Sequence, residues 1–238
     1  MILHTDIFGD GEPIIFLHSG LQTGMTDFEE QRDYFQTTHK VILPDLRGHG
    51  KSKSNDVSNY YLESANDLGE TLRYLGIPSA HIVGCSLGAL VGLFFAKKFP
   101  DKVKTLTISG VLPEKPSNWS EIQKNEYERQ SYILENENMK NYFNQLHGEG
   151  WKEFIHMARK EDSYPFEETS NLVGLGMPTL FMVGEGNINE TKGAIIYPET
   201  NKLIHVSIIP FASHLVHSEQ PQIYNEILKE FLSRTNRD

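Results

Sequence analysis

Apolar residues along the chain follow two spacings. Short runs rich in Val, Ile, Leu and Phe occupy residues 3–8, 13–18, 40–44, 81–84, 103–108, 179–183 and 203–209 and predict seven strands. Most of the later runs lack period-two alternation, as expected of strands covered on both faces. Between them the spacing changes. Leu62, Ala65, Leu68, Leu72 and Leu75 recur at threes and fours, which predicts a helix over 62–75 with one buried face. Residues 87–99 are apolar nearly all round and predict a fully buried helix; residues 222–233 predict the last one. Strand and helix alternating in this way give an α/β fold, a mostly parallel central sheet flanked by helices.

One stretch breaks the alternation. Residues 111–174 carry no strand signal, are helical in character, and hold both tryptophans, Trp119 and Trp151, with Tyr142 among other aromatics. The stretch is too long for a plain loop between strands. It predicts a helical cap inserted before the penultimate strand, dividing the chain into a core of residues 1–110 and 175–238 and a cap of residues 111–174. Trp119, Trp151 and Tyr142 are the expected substrate-binding side chains, with a helical extension packed elsewhere as the alternative.

Composition narrows the classes of function. The 238 residues carry a formal net charge of −10, a poor match for nucleic acid or an anionic membrane surface. The N-terminus lacks the basic and apolar regions of a secretory signal, and no apolar run approaches the length of a membrane span. The single cysteine, Cys85, leaves no intrachain disulfide, so the expected location is cytoplasmic. No metal-binding spacing, P-loop or dinucleotide fingerprint is present, so no cofactor or metal is expected, and the expected partner is a small-molecule substrate.

The chemistry gathers around GCSLGAL at residues 84–90. A strand-like run precedes this G-x-S-x-G pattern and a helix-like run follows it. That context suits a nucleophilic serine, Ser86, on a tight turn relieved by Gly84 and Gly88. A base must come from elsewhere. His214, in the loop after the last strand run, is the candidate, with His217 as runner-up and a structural role for His217 preferred. Two N–H donors are needed for an oxyanion. Leu87 is the first, and Gly20 or Leu21, in HSGLQTG after the second strand run, is the other.

Four motifs in order, FLHSG, DLRGHGKS, GCSLGAL and SHLVHSEQP, resemble the α/β-hydrolase fold superfamily, with enol-lactonase-like and carboxylesterase-like members. The resemblance implies a serine nucleophile, a histidine base, an acid that orients the base, and a cap between the sixth and seventh strands. It also implies that Asp45, Arg47 and His49 shape a loop. The expected function is cofactor-independent hydrolysis of a small ester, lactone or thioester through an acyl-enzyme on Ser86. One position departs from the pattern. Where the family places an aspartate, the turn GEGNINE carries Asn187. Asn187 itself or Glu185 is expected to orient His214, ahead of Glu190 on the same loop and Glu114 after the preceding strand. The departure also keeps open a second function, a small-molecule receptor or weakly active pseudo-hydrolase on the same scaffold.

Overall fold

The computed structural model describes residues 1–235. Seven strands form one sheet: β1 Thr5–Phe8, β2 Glu12–Leu17, β3 His39–Pro44, β4 Ala80–Cys85, β5 Val103–Ser109, β6 Thr179–Gly184 and β7 Ile204–Ile209. Their order is β1-β3-β2-β4-β5-β6-β7. Only the β1–β3 pair is antiparallel. The central strand β4 is buried along its whole length, whereas the edge strand β7 exposes His205 and Ile208. That is why the sequence around 203–209 alternates more than the runs at the centre.

Twelve helices surround the sheet. Those of the first half are α1 Gly24–Asp27, α2 Glu29–Phe35, α3 Tyr60–Tyr74 and α4 Leu87–Lys98. Between β5 and β6 lie α5 Trp119–Glu135, α6 Glu137–His147, α7 Trp151–Ala158 and α8 Phe166–Ser170. The remainder are α9 Ile188–Thr191, α10 Gly193–Thr200, α11 Val216–Glu219 and α12 Pro221–Thr235. On α3 the residues Ala65, Leu68 and Leu72 are buried, as their spacing requires. Among the described residues no helix is long and apolar enough to cross a membrane.

Two hydrophobic clusters form the core. The first joins α3, α4, one face of the sheet and the interior of the insertion, including Ile133, Phe143 and Trp151. The second lies between the opposite face, α2 and α12. Chain order reverses between β2 and β4: from β2 the chain moves outward to β3, then crosses back to β4. Ligand crevices of open parallel sheets form at the carboxyl ends of strands at such a switch point. The segments that follow β2 and β4 there are those containing Gly20 and Ser86.

Candidate active site

The turn between β4 and α4 is sharp. Ser86 has φ 53° and ψ −114°, a left-handed conformation that a non-glycine residue adopts only at a cost. Its amide donates to Ser109 O at 2.9 Å, which ties the turn to β5. The flanking glycines are required by close approach. A Cβ on Gly84 would fall 2.4 Å from Gly88 O, and one on Gly88 would fall 1.9 Å from Leu17 O. Cys85, between strand and serine, is fully buried, and burial pushes its thiol well above the ordinary cysteine value.

Ser86 opens into a cavity of about 940 Å³ also lined by Gly20, Leu21, Leu87 and His214. The imidazole lies close to the serine: a Cβ on Gly110 would stand 3.0 Å from His214 Cε1 and 3.1 Å from Ser86 N. Leu87 is the first residue of α4, so its N–H has no intrahelical acceptor. Leu21 takes φ 62°, which turns the backbone of the loop after β2. Ser19 N–H donates to Asp27 Oδ2 at 2.6 Å and anchors the start of that loop.

The acid expected at Asn187 or Glu185 is at neither. His214 Nδ1 lies 2.6 Å from Glu190 Oε1. Asn187 caps α9, its Oδ1 accepting from Glu190 N at 3.3 Å, and its Nδ2 donates to the same Glu190 Oε1 at 2.7 Å. Glu185 points to the next turn, where it accepts from Phe211 N at 2.9 Å. Glu114 pairs with Lys192 at the surface. The physical reason is the short helix: once Asn187 begins it, the residue three places on turns back beneath the imidazole. The N-x-x-E spacing at 187–190, an Asx cap followed by a glutamate at N3, was the signal available in the sequence.

Electrostatics follow from this pair. Glu190 is 2% exposed. Burial pushes its carboxyl above the usual carboxylate value, and His214 draws it only part of the way back. Burial alone would depress His214. The hydrogen bond and charge of Glu190, aided by the charges of Glu219 and Glu126, outweigh it and hold His214 above the ordinary histidine value. Glu219 was not singled out in the sequence. Its two carboxylate oxygens accept from Ser213 N and Leu215 N, both at 2.8 Å, and fix the backbone on each side of His214.

His217 is completely buried, stacked on Phe28 with ring centroids 4.2 Å apart and 3.2 Å from Asp27 Oδ1. It therefore supports the carboxylate that anchors Ser19. Asp45 accepts from Gly24 N and Lys51 N, and Arg47 holds Asp67 through two bonds of 2.7 and 3.1 Å. Neither lines the cavity, nor does the buried His49.

Of the three expected substrate-binding aromatics, Trp119 lines the cavity. The other two do not. Trp151 is fully buried inside the insertion, its Nε1 donating to Asn144 at 2.8 Å and its ring against Phe143. Tyr142 is 53% exposed on the outer face of α6. Helix register decides both: the buried side of α6 carries Phe143 and His147, which leaves Tyr142 outside, and the buried residues of α7 include Trp151 with Phe154 and Ile155. Their places in the wall are taken by Tyr61, Phe154, Met157 and Tyr164. Among the described residues no three His, Cys, Asp or Glu side chains are grouped to ligate a metal ion.

A family model of the alpha/beta hydrolase fold matches residues 12–149, more than half of the chain. The chain belongs to that family. The 3-oxoadipate enol-lactonase 2 of Acinetobacter baylyi is 33% identical over 104 residues, 43% of this chain and 39% of that protein. The matched region thus spans about two fifths of that relative's length. Among solved structures, NosK from Streptomyces actuosus superposes with a TM-score of 0.82 at 22% identity, covering 94% of this chain and 99% of that one. A thermophilic esterase from Thermogutta terrifontis superposes with a TM-score of 0.73 at 21% identity, covering 98% and 93%. These two likenesses are of fold.

Proposed function

We propose that this α/β-hydrolase is a cofactor-independent serine hydrolase of small carboxylic esters or lactones. The observation that carries the reading is the buried Glu190 carboxylate bonded to Nδ1 of His214, whose side chain lines the same cavity as Ser86. A carboxylate accepts a hydrogen bond from Nδ1–H, keeps the proton on that nitrogen and leaves Nε2 bare. Ser86 Oγ attacks the acyl carbon while Nε2 takes its proton. Charge moving onto the carbonyl oxygen meets the N–H groups of Leu87 and of Gly20 or Leu21. The imidazolium, stabilised by Glu190, returns its proton to the departing alkoxide. A water molecule, deprotonated by the same Nε2, then releases the acid and frees Ser86. In a lactone the alcohol so formed stays attached to the acyl chain throughout, and the second step releases a single hydroxy acid.

The cavity wall supports this substrate class. Trp119, Phe154 and Tyr164 offer an apolar acyl site, and about 940 Å³ admits a substrate of modest size. The enol-lactonase among the relatives accords with this class. The receptor reading rested on Asn187 leaving His214 without a carboxylate; with Glu190 in that role it loses its motive.

The test is turnover of p-nitrophenyl butyrate by the wild type, Ser86→Ala and Glu190→Gln. Ser86→Ala is expected to fall to background. Wild-type turnover in Ser86→Ala would overturn the reading.

A further inference from the structure

The loop after β2 carries a left-handed Leu21 at φ 62°. Such a conformation costs a non-glycine residue about 1–2 kcal/mol, so surrounding bonds must hold it. Three of the bonds come from nearby in the chain. Ser19 N–H is held by Asp27, Ser19 O accepts from Gln22 N at 3.2 Å and closes the turn over Gly20 and Leu21, and the same oxygen lies 2.8 Å from His18 Nδ1. The fourth comes from the insertion: Leu21 O lies 3.0 Å from His147 Nε2, across 126 residues of sequence.

His147 is the last residue of α6 and is 1% exposed. Its chemistry is fixed at both nitrogens. Gly50 N–H donates to Nδ1 at 2.8 Å, so Nδ1 carries the lone pair and Nε2 carries the proton given to Leu21 O. Burial pushes its pKa down to about 4, which keeps this neutral form in place at neutral pH. The ring stacks on Phe143 and meets His49 edge-on at 5.3 Å. No other orientation of the imidazole satisfies both backbone partners. A second contact from the insertion lies on the same loop: a Cβ on Gly20 would stand 3.5 Å from the Phe154 ring.

We propose that His147 is a positioning residue of the oxyanion hole. By holding the Leu21 carbonyl it fixes the peptide units that aim the Gly20 and Leu21 N–H groups at Ser86. The hole thus draws one of its supports from the end of α6. The proposal rests on the serine-hydrolase reading above.

The experiment compares kcat and KM for p-nitrophenyl butyrate, and inhibition by butylboronic acid, in the wild type and in His147→Leu, His147→Asn and His147→Gln. Boronic acid forms a tetrahedral adduct on the serine and so reports the hole directly. His147→Leu keeps the volume and loses both bonds. His147→Asn is expected to reach Gly50 but not Leu21, and His147→Gln to offer an acceptor and a donor at the original depth. The expected result for Leu and Asn is a kcat loss of about 10²- to 10³-fold, the scale of one oxyanion donor. KM should stay within about threefold, and boronate affinity should fall in parallel with kcat. Gln should recover most of both. Wild-type kcat in His147→Leu, boronate affinity unchanged in it, or Gln no better than Asn would overturn the proposal. Should His147→Leu fail to fold, the Asn and Gln pair decides alone. Ser86→Ala is measured alongside: if it retains turnover, the reading of the whole site falls; if it is inactive while His147→Leu works normally, only the role of His147 falls.

Discussion

Glu190 Oε1 serves two donors, His214 Nδ1 and Asn187 Nδ2. Each partner has a distinct consequence. Glu190→Gln removes the charge that stabilises the imidazolium and is expected to lower kcat by about 10²- to 10⁴-fold, measured with p-nitrophenyl butyrate. Asn187→Asp, which restores the family's usual residue, is expected to lower kcat rather than raise it. It sets a second carboxylate against Glu190, and two carboxylates that close share a proton. A rise in kcat would show that residue 187 can serve as the acid. The pH profile belongs to the same pair. His214 must be neutral to act as base, and its pKa is raised, so kcat/KM should fall as pH drops through a midpoint above the ordinary histidine value of about 6.5. In Glu190→Gln the raising influence goes and burial remains, so the midpoint should move to lower pH. That Ser86 and His214 share one cavity was legible in the sequence because each sits beside a strand-like run. The carboxylate that meets His214 was less so: adjacency to the strand end favoured residues 185 and 187, while a single turn of helix, too short to show periodicity, carries it at 190.

At the scale of elements, the turn from β4 into α4 depends on contacts that leave no room. Gly88→Ala would drive a methyl group into Leu17 O, a backbone atom that cannot swing aside. Stability should fall by at least about 2 kcal/mol, read from urea unfolding, and activity should fall with it because the serine rides on the same turn. All seven strands were foreseeable as short apolar runs, the central ones because their residues fill the sheet interior and the edge strands β1 and β7 in spite of exposed positions. Their exact ends were not: β1 begins at Thr5 rather than at residue 3, and α3 begins at Tyr60 rather than at residue 62. The one-turn helices α1, α9 and α11 escape any periodicity argument, yet they carry Asp27, Glu190 and Glu219, which support the loop after β2, the base and the backbone around the base.

At the scale of the whole molecule, the tryptophans of the insertion separate two duties. Trp151→Ala should cost about 3–5 kcal/mol of unfolding free energy, because it empties a fully buried site in a packed interior. Trp119→Ala should lower the urea midpoint much less and alter KM across a series of acyl chain lengths, because the half-buried ring meets Tyr164 and Phe166 edge-on but also lines the cavity. Equal stability loss in both would refute the distinction. Composition marked the insertion as aromatic but could not say which rings face inward; only the packing of α6 against α7 does. The cavity is lined from the loops that follow β2, β4 and β7, with Glu190 behind His214 on the segment after β6, and draws much of its wall from the uninterrupted stretch between residues 119 and 164. A graft of another helical segment between β5 and β6 could redraw what the enzyme admits while leaving its chemistry in place, provided the newcomer supplies a side chain able to grip Leu21 O and Gly50 N. Diversification by exchange of such segments would then leave a trace: the two loops at residues 18–22 and 45–51 would have to change in step with the visitor.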